Sequence, residues 1–121
     1  MEFWKKIAIA AALIFVIDLV WLGLIGTSYN AIVETVQGGR PLRARLWAGL
    51  VVYVALAFLL LKERTAWDAF STGAATYAVY DFTVMTLFKD YPVWIGAADT
   101  VWGGVLFLTA HTVLKKLGGF Y

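Results

Sequence analysis

The 121-residue chain has no cysteine, which removes three possibilities at once: a disulfide framework, a thiolate nucleophile and a Cys metal site. Charge is scarce as well. Only 15% of residues are charged, the formal net charge is +2, and the Lys and Arg are scattered between apolar runs. No concentrated basic patch argues for nucleic acid, and that class of partner is excluded. Proline occurs only twice, as Pro41 and Pro92, each at a break in an apolar pattern. There is no evident nucleophile, Gly-rich phosphate cradle or dedicated metal cluster, so no cofactor or metal is assigned. Two acids would suffice for acid–base chemistry on a lipid, but an enzyme has less support than a non-enzymatic role.

Apolar side chains are what the chain does have. They make up 62% of it, far from the balance of a soluble domain of this size. A span takes roughly 20 apolar residues to cross about 30 Å of hydrocarbon, so four spans with short loops use nearly the whole length. Residues 1–121 read as a single all-α domain, a four-helix transmembrane bundle in a lipid bilayer. The spans fall at about 5–26, about 44–61, about 67–88 and about 93–114. The N-terminus superficially resembles a signal peptide, but the apolar run from Ile7 to Gly26 is too long, a signal core being roughly 7 to 15 residues.

Charges punctuate the spans: Lys5 and Lys6 before the first, Arg40, Arg43 and Arg45 before the second, Lys62, Glu63 and Arg64 before the third. Lys89 and Asp90 precede the fourth, and Lys115 and Lys116 close it. Between the first two spans, Tyr29, Ile32, Val33 and Val36 recur at helical spacing until Gly38, Gly39 and Pro41 stop the pattern. A short interfacial helix between helices 1 and 2 is expected, with a loop over the bundle mouth as the equal alternative. Four spans put both termini on one face with Lys5, Lys6, Lys62, Arg64, Lys115 and Lys116. The positive-inside rule then favours cytoplasmic termini, by a margin narrow enough to leave dual topology open.

Three carboxylates interrupt the spans: Asp18, Asp81 and Asp99. Asp18 is about 17 Å along from Ile7 and Asp81 about 18 Å from Ala69, while Asp99, on an oppositely running helix, is about 20 Å from the side of the termini. All three are expected in one layer. A central Asp costs about 2.5 to 3.5 kcal/mol on insertion, which the Leu, Ile, Val and Phe of the first span offset at roughly 0.3 to 0.6 each. The third span, with Ser71 and several threonines, cannot offset it alone. It is expected to sit centrally, with Gly73, Tyr77, Tyr80 and Asp81 turned inward. Asp18-Leu-Val-Trp21-Leu-Gly23 returns as Asp99-Thr-Val-Trp102-Gly-Gly104. A Trp three residues on shares the face of the Asp and can donate its indole N–H, while the glycine permits close backbone approach. His111 and the aromatic residues Trp4, Trp47, Trp67, Trp94 and Tyr91 fall near span ends, as an interfacial belt requires.

These motifs, together with Tyr77-Ala-Val-Tyr80-Asp81-Phe-Thr83, resemble a family of small predicted membrane proteins, bacterial and viral, grouped as a domain of unknown function. The resemblance spans nearly the full length. It implies a four-span protein of a bacterial inner membrane or a viral or host membrane, and supports treating the motif residues, Thr83 included, as one site. An Asn that often follows the Thr of the third-helix motif is Val84 here. No reaction is implied.

Two functions compete. In the first, Asp18, Asp81 and Asp99, with Trp21, Tyr77, Tyr80 and Trp102 around them, bind a proton, cation or cationic solute for transport, in a homo-oligomer because so short a chain cannot build a pathway alone. In the second, the chain is a structural or assembly subunit of a larger membrane complex, its acids serving only as interhelical glue. Small residues such as Ala10, Ala11, Gly73, Gly103 and Gly104 would then suit docking.

Overall fold

The computed structural model describes residues 1–39 and 45–121, and among them there are four α-helices and no strand. Helix α1 covers Phe3–Val36, α2 Leu46–Leu60, α3 Ala66–Leu87 and α4 Val93–Leu117. Local chemistry sets the ends. Thr65 caps α3 by accepting from the amide of Asp68 at 3.1 Å, and Pro92, whose ring pre-sets the backbone, precedes α4. Lys115 and Lys116 occupy the last turn of α4, where cations offset the helix dipole.

The segment from Thr27 to Val36 is helical, as its periodicity requires, but it is not a separate interfacial helix. It continues α1 without a break, giving one helix of 34 residues. Nothing between Gly26 and Gln37 stops a helix, and termination waits for Gly38 and Gly39, whose φ values of +71° and +87° suit only glycine. At 1.5 Å per residue α1 is about 51 Å long, well over the thickness of a hydrocarbon core. Arg40, Pro41, Arg43 and the expected start of the second span at 44 lie outside the described residues.

The hub is α4, not α3. Helix α4 packs against all three others and most extensively against α3, whereas α2 touches α3 and α4 only lightly and α1 and α3 make no backbone approach among the described residues. Helix α3 needs fewer neighbours than its composition suggests because three of its hydroxyls are satisfied within the helix: Ser71 donates to the Trp67 carbonyl, Thr76 to Thr72 at 2.7 Å and Thr86 to Phe82 at 2.8 Å. Its remaining need is met along one seam with α4. There a Cβ on Gly73 would run into the Gly103 carbonyl oxygen, and one on Gly103 into the Gly73 carbonyl, so the two backbones touch. A Cβ on Gly104 would come within 2.6 Å of the Phe70 ring.

Inside the bundle Ala10 and Ile14 of α1 meet Ala57 and Leu60 of α2 and Leu106 and Phe107 of α4. The outer surface carries exposed apolar side chains on every helix: Leu24 is 76% exposed, Leu50 66%, Val79 70% and Val101 59%. A surface of that kind requires a hydrocarbon solvent. Helices α1 and α4 are each long and apolar enough to cross a membrane, and α2 is a shorter apolar helix. His111 is buried, because the chain turns back at Gly118 and Gly119 and lays Tyr121 over it. The Tyr121 hydroxyl lies 3.1 Å from His111 Nδ1 and donates to the Leu60 carbonyl at 3.2 Å, tying α2 to α4.

Candidate functional site

Asp18 on α1 is buried, and both of its oxygens are held: Oδ1 accepts from the indole of Trp102 at 2.8 Å and Oδ2 from the Tyr53 hydroxyl at 2.5 Å. Asp99 on α4 is held in the reciprocal way, its Oδ1 accepting from the indole of Trp21 at 2.8 Å. Each motif thus supplies its tryptophan to the aspartate of the other. The intrahelical pairing expected from the three-residue spacing does not occur. Helical neighbours at that spacing share a face, but here both faces point across the α1–α4 interface, where the opposite carboxyl is in better line. Between the two bonds the indole rings of Trp21 and Trp102 stack, 5.3 Å apart and 9° from parallel. The motif glycines do not help here. Gly23 faces open space, and Gly104 makes its close approach to α3.

Asp81 on α3 has no exposed surface. Its Oδ1 accepts from the hydroxyl of Tyr91 in the α3–α4 turn, and its carboxyl neighbours that of Asp99. Oδ2 has no donor among the described residues. Two carboxyls can bond only when one proton lies between them. Burial first, and then the adjoining Asp81 carboxyl, raise the Tyr91 phenol well above its usual range, so Tyr91 remains a donor.

A half-open cleft of about 450 Å³ reaches this layer between α1 and α3. Asp18 and Asp99 face it, and Trp21, Tyr29, Tyr77 and Tyr80 supply aromatic walls. Leu22 and Ile25 add apolar surface, and Asn30 is the amide lining it. Tyr29 and Tyr80 meet across it, hydroxyl to hydroxyl, at 3.2 Å. Among the described residues no lysine or arginine lines it, and no three His, Asp or Glu side chains form a metal-binding group. From Asp18 to Asn30 the cleft follows α1 for about 18 Å toward its C-terminal end.

A family model described as "Predicted membrane protein (DUF2177)" matches residues 3–115. The chain belongs to this family. The match takes in all four helices up to the last turn of α4, and therefore the whole acid layer. No curated protein and no solved structure matches the chain.

Of the family member's eight expected site residues, the fold joins Asp18, Trp21, Asp81, Asp99 and Trp102 in one network, with Tyr77 and Tyr80 on the cleft. Thr83 is not among them. It lies two residues, about 200°, around α3 from Asp81 and is exposed. Val84 fills its position with packing, against Ile25, Tyr91 and Ile95. Sequence reading missed Tyr53, Tyr91, Tyr29 and Asn30. Tyr53 carries the only hydroxyl of α2, which was the available signal. Tyr91 looked like a belt residue and is in fact buried against Asp81, whereas Trp4, Trp47, Trp67 and Trp94 are exposed.

Proposed function

We propose that this is a four-span protein, its termini cytoplasmic, whose acid layer binds a proton and a cation in exchange and so moves the cation through the membrane. The carrying observation is the cleft that brings solvent-sized space to two buried carboxyls with no basic side chain beside them among the described residues. Intramembrane acids are costly, and an access path to them is what a purely structural role would not need. Asp99 is the exchanging group: it faces the cleft and also borders Asp81, so a cation reaching Asp99 displaces the proton shared between the two carboxyls. Where the cation carries a single charge, its exchange for one proton leaves the site's net charge unchanged. The cleft opens on one side of the bundle, and association of copies would complete a pathway.

Asp18 supports the other reading for itself alone. Both of its oxygens are engaged by Trp102 and Tyr53, as interhelical glue requires. Purified protein in weakly buffered detergent, titrated with sodium, magnesium and tetraphenylphosphonium chlorides against a pH dye, tests the proposal. At least one cation is expected to release protons from wild type and none from Asp99→Asn. Proton counts that are zero for the whole panel sink it.

A further inference from the structure

The cation site described above, on which this inference rests, leaves its ligand class open, and the walls of the cleft decide it. We infer that the ligand is a hydrophobic organic cation, one with a delocalised or quaternary charge and at least one ring or alkyl arm, and not a bare metal ion. Volume is the first argument. About 450 Å³ lies in the range of small-molecule sites, whereas a metal ion is enclosed by oxygens at about 2.0 to 2.6 Å and would leave nearly all of this space unfilled. The second argument is the state of the carboxyl oxygens. Asp18 Oδ1 and Oδ2 and Asp99 Oδ1 already accept from indole or phenol donors, so they present diffuse negative charge instead of the bare oxygens a hard cation needs to replace its water.

The third argument is the aromatic lining. Trp21, Tyr77 and Tyr80 flank the carboxyls, and the faces of such rings attract cations that have shed their water easily. Leu22 and Ile25 continue the lining away from the charge, which gives an apolar arm somewhere to lie. The fully buried Asp81, its Oδ2 lacking a donor, sits behind Asp99 and outside the cleft lining, where it holds the proton without occupying ligand space.

Binding of tetraphenylphosphonium, tetramethylammonium and magnesium to the purified chain in nanodiscs, by calorimetry, tests the inference. Tetraphenylphosphonium is expected to bind at least about tenfold more tightly than tetramethylammonium, and magnesium at up to millimolar concentration should not displace it. Tyr80, largely exposed, can be changed without threatening the fold. Tyr80→Leu should weaken tetraphenylphosphonium by about 3- to 30-fold while Tyr80→Phe, which keeps the ring face, stays within about twofold of wild type. Magnesium binding that excludes tetraphenylphosphonium, or equal affinity in Tyr80→Leu and Tyr80→Phe, overturns the ligand class but leaves a cation site. Failure of every cation in the panel to bind, in protein whose thermal unfolding is intact, removes the site and the inference together.

Discussion

The indole of Trp21 on α1 donates to Asp99 on α4, and not to Asp18 three residues before it on its own helix. Trp102 on α4 answers with a bond to Asp18. Residue numbers fall on one helix as they rise on the other, the signature of an antiparallel pair, and the two copies of the motif meet about a local two-fold at the stacked indoles. The recurrence in the sequence is therefore an interface written twice.

Double-mutant cycles should show this crossing. Trp21→Phe with Asp99→Asn, and Trp102→Phe with Asp18→Asn, are expected to couple by about 0.5 to 1.7 kcal/mol in unfolding experiments in detergent. Trp21→Phe with Asp18→Asn should be close to additive. Stronger coupling within a helix than across the pair would contradict the crossed arrangement.

Gly73 and Gly103 differ in kind from Gly23. Gly73→Ala and Gly103→Ala force backbone against backbone and should each cost about 1 to 3 kcal/mol, whereas Gly23→Ala, in open space, should be neutral or stabilise by up to about 1 kcal/mol. Thermal unfolding of the three variants side by side decides it, and equal losses would mean that the α3–α4 seam is looser than described.

Topology is accessible because the chain has no cysteine of its own. Single cysteines replacing Glu2 and Lys116 should label from the cytoplasmic side and one replacing Glu34 from the opposite side. Glu34 labelled together with Lys116 rules out four spans, and equal labelling of each from both sides means dual insertion.

The acid layer should respond as a unit. Asp81→Asn keeps hydrogen bonding but removes the exchangeable proton. It is expected to give a folded protein whose stability between pH 5 and 9 no longer changes on adding tetraphenylphosphonium, with related defects in Asp99→Asn. Asp18→Asn should chiefly lose stability. Superimposable curves for wild type and all three variants would assign the layer to glue alone.

At the other end of the bundle, burial and then the nearby Glu63 charge push the Tyr121 phenol up to about 12 from its ordinary 10. The folded state therefore keeps the proton longer than the unfolded state. The contribution of this hydroxyl should be fully present below pH 10 and lost as pH rises through about 12. Tyr121→Phe, unable to bond Leu60, should lack that alkaline loss, and a matching decline in both proteins would place its origin elsewhere.

Much of this architecture could be read from spacing. Helices declare themselves in apolar runs bounded by Lys, Arg, Gly and Pro, and the rise per residue is constant enough to bring Asp18, Asp81 and Asp99 to one depth before any contact is known. Rotation about the helix axis is harder to read, because it depends on the neighbour. Pairing of Trp21 with Asp99 instead of Asp18, and the seat of α4 at the centre, are set by which faces the glycine seam leaves free. Tyr53 and Tyr91 escaped notice because a phenol in an apolar run or beside a proline carries no pattern of its own. Thr83 was included on motif membership, which does not tell an inward residue from an outward one.

The crossed bonds join residues 78 and 84 positions apart. At a synthesis rate of about 5 to 20 residues per second, α1 waits roughly 4 to 17 seconds in the membrane before the tryptophan that donates to Asp18 has even been made. The long apolar run of α1 tolerates that delay, whereas Asp81 on the less apolar α3 needs only the next turn and helix to find Tyr91 and Asp99. A chain released before α4 is complete would therefore offer quality-control proteases acids in the bilayer whose partners on α4 are missing.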